Sequence, residues 1–250
     1  MNIPLYFDLL HHFQTDNDPK VNPFSEYFGK IFEVYVGKQL KLLEDGGQII
    51  EEFQYDNDGS KKFCDYSLIY GDETILIEVK KNLIPIRTKY ELDTEKIKGS
   101  IENGIIKAFE QLYKKIGHIR ESIAGLEKFS KIKKFYPVVV VFDDSYSLNG
   151  SFFKSIIDEK LLEKNISFDI PWQIITIREL EILVSSLNQR KSLRDILEDK
   201  TGETIKLNYD FDIYLQNQEI EKVENSYIVK AIKDNLDKWN KTNNSQITNV

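Results

Sequence analysis

Between Phe24 and Leu43, apolar side chains fall at 24, 27, 28, 31, 32, 35, 36, 40 and 43. That is a stripe of helical period. Pro23 suits the first turn of such a helix, and Gly46–Gly47 stops it. Residues 48–55 (QIIEEFQY) read as a strand and 56–62 as a turn. Two β-type runs come next, 63–70 (FCDYSLIY) and 74–80 (TILIEVK), separated by Gly71-Asp72-Glu73. Helical spacing returns at Ile97, Ile101, Ile105, Ala108, Phe109, Leu112 and Ile116 and predicts a long helix over 94–119, continuing with interruptions to 134. Residues 136–144 (YPVVVVFDD) form a continuous β-branched run, the pattern of a strand buried on both faces. Residues 152–164 read as helix, 172–177 as strand and 178–189 as helix.

This order predicts an α/β (α+β) sandwich, with helices packed on a central mixed β-sheet that contains an antiparallel meander. The expected division is an N-terminal arm (1–22), an α/β core (23–190), a weakly patterned C-terminal extension (191–241) suited to interactions, and a disordered tail (242–250).

The 63–81 segment carries the chemistry. Gly71-Asp72 is a two-residue hairpin signal, with glycine in the first central position of a type II′ turn. Paired residues then have numbers summing to 143. Cys64, Tyr66, Leu68 and Tyr70 oppose Val79, Ile77, Ile75 and Glu73 on a nearly apolar face that packs on a helix. On the other face Asp65 falls opposite Glu78, with Lys80 two residues along. Like charges directly opposed in a sheet repel. They become favourable when a cation lies between them, either an ammonium or a divalent ion such as Mg²⁺. The plainer reading is a surface hairpin with a small salt-bridge cluster.

A strand-borne Asp65 followed by Glu78-Val79-Lys80 on the neighbouring strand resembles the PD-(D/E)xK nuclease superfamily, of restriction-endonuclease-like fold. The resemblance spans roughly residues 24–145, although Cys64 stands where the family often has proline. It implies a fold of helix, three-stranded meander, helix and further strand. It also implies Mg²⁺ (or Mn²⁺) held by Asp65, Glu78 and the Val79 carbonyl, with Lys80 orienting or activating water. Members often carry a glutamate on the first helix, and Glu33 takes that place between Gly29 and Gly37. Those glycines serve either the approach of a substrate or helix packing. RecB-like members carry a Gln and a Tyr on the helix after the strand. Gln111 matches as a supporting or phosphate-contacting group, whereas Tyr113 lies two residues on instead of four and reads as packing. Three other acidic-x-Lys triplets (Asp18–Lys20, Asp158–Lys160, Glu198–Lys200) fall in a turn or in helical patterns.

Charge changes the picture modestly. The chain of 250 residues carries a net −7, which opposes a broad nucleic-acid-coating surface. Residues 61–134, however, hold 16 Lys/Arg against 11 Asp/Glu. Lys61, Lys62, Lys81, Arg87, Lys89, Lys96, Lys98, Lys107, Lys114 and Lys115 could steer a phosphate backbone, or simply solvate helix faces. The acidic total favours a homodimer or a target-recognising protein partner.

The single Cys64 excludes an intrachain disulfide or a zinc ribbon and fits a packing role. His11, His12 and His118 lack zinc spacing. The run 138–144 ends in Asp143 and Asp144 like a Walker B strand, but no phosphate-binding glycine loop precedes it. No apolar run approaches about 18 residues, and the N-terminus makes a poor signal peptide, so a cytoplasmic protein without membrane contact is expected. The expected function is a metal-dependent nuclease acting on DNA, in prokaryotic restriction or anti-phage defence. The alternatives are a nuclease-like binding module without catalysis, and an RNA-cleaving enzyme with the same metal site.

Overall fold

The structure is a computed structural model and describes residues 23–81, 94–142, 147–187, 191–220 and 222–247. Helix α1 (Pro23–Leu40) precedes strands β1 (Gln48–Glu51), β2 (Gln54–Tyr55), β3 (Lys61–Lys62), β4 (Tyr66–Tyr70) and β5 (Glu73–Lys80). Helices α2 (Thr94–Ile101) and α3 (Lys107–Arg120), joined through a π-turn at Glu102–Ile106, lead to β6 (Lys134–Val141). Then come α4 (Ser151–Glu163), β7 (Gln173–Thr176), α5 (Ile177–Ser186), α6 (Leu193–Gly202), α7 (Thr204–Leu207), α8 (Phe211–Asn217) and α9 (Ser226–Ile247).

Five strands form one mixed sheet in the order β1-β4-β5-β6-β7. The β1-β4-β5 meander is antiparallel, and β6 and β7 add in parallel. A parallel neighbour needs a long crossover, and the α2–α3 segment supplies it between β5 and β6. Alternating side chains then serve two layers. Leu76, Val139 and Ile174 pack with Ile105, Phe109 and Leu112 on the α2–α4 side. Leu68, Ile75, Ile77, Val138 and Val140 pack with Phe32, Val36 and Leu40 of α1 and with Leu180 and Leu183 of α5.

Several expectations change. The strand expected over 48–55 breaks after Glu51: the Glu52 N–H still meets the Asp65 carbonyl in register at 2.9 Å, but the next bond, from the Phe63 N–H to the Phe53 carbonyl at 2.9 Å, is one residue out of step. Strand β2 thereby leaves the main sheet and pairs with β3. The long helix stops at Arg120, not 134; Ser122 and Gly125 take φ of 54° and 87°, which a helix cannot accommodate. The residues read as a C-terminal extension outside the core contribute to it. Leu193, Ile196, Leu197, Phe211, Tyr214 and Leu215 complete the core on the α1 side. Helix α9 runs through Ile247, into the stretch read as a disordered tail, and leaves Ile232, Leu236 and Trp239 exposed. Among the described residues no helix is long and apolar enough to cross a membrane. The arm (1–22), Arg87, Lys89, Asp143 and Asp144 lie outside the described residues.

Candidate active site

The β4–β5 hairpin has the predicted register: Tyr66 pairs with Ile77, Leu68 with Ile75 and Tyr70 with Glu73. Gly71 takes φ +64°, the left-handed backbone that glycine adopts without strain. Continuing the register places Asp65 opposite Glu78. At that point β4 ends, and the Asp65 side chain replaces main chain: its Oδ2 accepts the Val79 N–H at 2.6 Å. Its carbonyl accepts the Glu52 N–H, so both ends of the residue are held. The N–H and C=O of a strand residue point to the same side. The Val79 carbonyl therefore faces the Asp65 side as well.

Glu78 is only 4% exposed. Lys80 Nζ lies 2.7 Å from its Oε2. Burial pushes the Glu78 carboxyl up to about 7; the Lys80 charge opposes this and the Asp65 charge adds to it. Asp65 is also raised by burial, against the pull of the Val79 N–H and of Lys80. Two acids, one of them paired with an ammonium, thus sit where charge is poorly solvated, and both resist ionising without a further cation.

The plainer reading, a surface hairpin with a small salt-bridge cluster, does not hold. Ser67, Thr74 and Leu76 on their side of the sheet are fully buried, because helices cover both faces. Cys64 does not continue the Tyr66–Leu68 row. The backbone bends at Asp65, so Cys64 packs with Phe63, Leu76 and Phe109 instead. It is a buried packing residue, as expected; its thiol is raised by burial and donates to the Tyr66 carbonyl.

Glu33 lies on α1, half-buried, and is raised first by burial and then by the Asp65 charge, which places its carboxyl in the field of the site. The glycines around it serve packing. A Cβ on Gly37 would collide with the Tyr66 hydroxyl, whereas one on Gly29 would meet Lys81 Cδ at 3.5 Å. Gly37→Ala should therefore cost about 1–3 kcal/mol by overpacking, seen as a lowered melting temperature. Gly29→Ala serves as the control, since its methyl meets only ordinary contact and its helix propensity improves.

Gln111 lies on α3, and its Oε1 is buried without a partner. Four residues on, and so on the same helical face, Lys115 lowers the Glu78 carboxyl by its charge and bonds the Lys62 carbonyl. Tyr113 packs edge-on to Phe168 at 5.9 Å, as expected. Lys81 turns to α1 and is already partnered there: its Nζ reaches the Ser25 carbonyl at 2.5 Å and the Ser25 hydroxyl. Lys62 is paired with Glu52 at 2.8 Å, and Lys61 with Asp56 at 2.6 Å. Of the other acidic-x-Lys triplets, Asp158–Lys160 and Glu198–Lys200 lie on α4 and α6. The fit of Tyr66 against Gly37 and the bond of Lys81 to Ser25 have no signature in the sequence, where both resemble ordinary strand residues.

Among the described residues no three His, Cys, Asp or Glu side chains cluster as metal ligands. The available set is two carboxylates and one main-chain carbonyl, all hard oxygens. That set, desolvated and short of positive charge, fits Mg²⁺ or Mn²⁺ retaining several waters. The unpartnered Gln111 oxygen adds a free acceptor on the helix covering this side.

No known family's sequence model matches the chain, and no curated protein matches it. Solved structures do match. One is the small subunit of a heterodimeric restriction endonuclease, 13% identical, covering 88% of this chain and 100% of that one, with a TM-score of 0.37. A likeness that weak says nothing about activity.

Proposed function

We propose that the chain is a metal-dependent nuclease that hydrolyses phosphodiester bonds, with DNA as substrate. The observation that carries this reading is the hairpin register, which ends at Tyr66–Ile77 and so brings Asp65 opposite Glu78, with Asp65 bonded to the Val79 N–H at 2.6 Å and Lys80 against Glu78 at 2.7 Å. A mere surface salt bridge has no need to bury an acid so deeply that it titrates near 7. Such displacement concentrates at functional sites.

Asp65, Glu78 and the Val79 carbonyl would hold Mg²⁺ or Mn²⁺. When bound, the ion supplies Lewis-acid polarisation of the phosphate and a lowered pKa for bound water. Lys80, released from Glu78, orients the attacking water and offsets the charge that builds on phosphorus. Glu33 sets the field facing Asp65, and Gln111 offers its free oxygen to a water or supports the acids. The biological setting, restriction or anti-phage defence, is an analogy with the superfamily. A target-recognising partner or a second copy would compensate for the net −7.

The test is incubation with plasmid, linear duplex, single-stranded DNA and RNA, with Mg²⁺ or with EDTA. Cleavage of DNA only with metal is the expected result. RNA-only cleavage moves the substrate assignment. No cleavage of any substrate, together with no Mn²⁺ binding in calorimetry, leaves a nuclease-like binding module.

A further inference from the structure

Strand alternation gives each site residue a neighbour on the opposite face. Tyr66 follows Asp65, and Lys81 follows Lys80. Both neighbours point to α1 and hold it. The Tyr66 hydroxyl donates to the Glu33 carbonyl at 3.0 Å. It occupies the space left by Gly37, where no Cβ could stand. Lys81 reaches the first turn of the same helix at Ser25, with its stem lying over Gly29. The helix that carries Glu33 is therefore tied down on either side of that residue. The ties come from the two strand ends that carry Asp65 and Lys80.

We infer that Tyr66 and Lys81 are positioning residues: they lock α1 to the ends of β4 and β5 so that the Glu33 carboxylate is held opposite Asp65. This rests on the nuclease reading of the site. The geometry also separates two adjacent lysines by role, Lys80 for the acids and Lys81 for the helix. Neither tether is essential to the core. The Glu33 carbonyl also lies within helix α1, and methionine at 81 would keep the apolar stem over Gly29.

A double-mutant cycle tests it. Tyr66→Phe and Lys81→Met are each expected to lower kcat about tenfold with KM unchanged, since small misplacements at a reacting centre are costly. In a Glu33→Gln background the same changes should cost no more than about twofold, because the group they position is already gone. Mn²⁺ affinity by calorimetry should follow the same non-additive pattern, and melting temperatures should stay within a few degrees. Losses that add fully in the Glu33→Gln background overturn the inference while leaving the nuclease intact. So does an unchanged kcat in both single variants. A wild type that neither cleaves nor binds Mn²⁺ brings down the site reading and this inference with it.

Discussion

Lys80→Ala is expected to lower DNA cleavage by about 10²–10³-fold, the usual cost of losing one group that stabilises developing charge. Two effects combine. The ammonium that would orient water and face the phosphate is lost. Its charge is also removed from beside Glu78, which burial already raises to about 7. Glu78 then binds its proton more tightly and holds a cation less well near neutral pH. Single-turnover rates at pH 7 and pH 9 separate the two. The share due to a protonated Glu78 returns at the higher pH, and the share due to the missing ammonium does not. The fold should persist, because Lys80 is partly exposed and anchors no core side chain. A variant that cleaves at the wild-type rate at both pH values would remove Lys80 from the chemistry.

Glu78→Gln is the second large effect, and it acts in two directions. The Glu78 carboxyl titrates near 7 in the folded chain, against an ordinary 4.5. Between those values the folded chain holds a proton that the unfolded chain has released. Stability from this group is therefore full below about pH 4.5 and falls as pH rises to about 7, by up to about 3 kcal/mol. Glutamine carries no charge to desolvate. At pH 8 the variant should melt several degrees above wild type, and at pH 4.5 the two should nearly coincide. Saturating Mn²⁺ should raise the wild-type melting temperature and leave the variant unmoved. Cleavage should be lost. A variant that melts lower than wild type at pH 8 would show that the Lys80–Glu78 pair outweighs the burial of the acid.

Much of the site is legible in the chain itself because it depends on local rules. Gly71-Asp72 selects a tight reversal, and a period of two then decides which residues face one another. Asp65, Glu78 and Lys80 come together without reference to any distant element. Alternating and continuous β-branched runs likewise mark β4, β5 and β6, and helical spacing marks α1 and α3.

What the tertiary structure decided involves contacts between distant segments. Glu33 comes into the field of Asp65 because α1 packs Phe32, Val36 and Leu40 on the sheet and is bonded there by Tyr66 and Lys81. Gly37 looks like a helix-weakening residue until the Tyr66 hydroxyl fills its missing side chain. The break after Glu51 comes from a one-residue slip in pairing between Glu52–Asp65 and Phe53–Phe63, set by the distant strand and not by the local pattern. Helices α6, α7 and α8 pattern poorly because each has ten residues or fewer; several of their large side chains go to a core the rest of the chain has already built. The local code thus determined which charges meet. The packing of helices on both faces of the sheet decided how little water reaches them, and desolvation raises both carboxyls of what would otherwise be an ordinary cluster of acids and lysine.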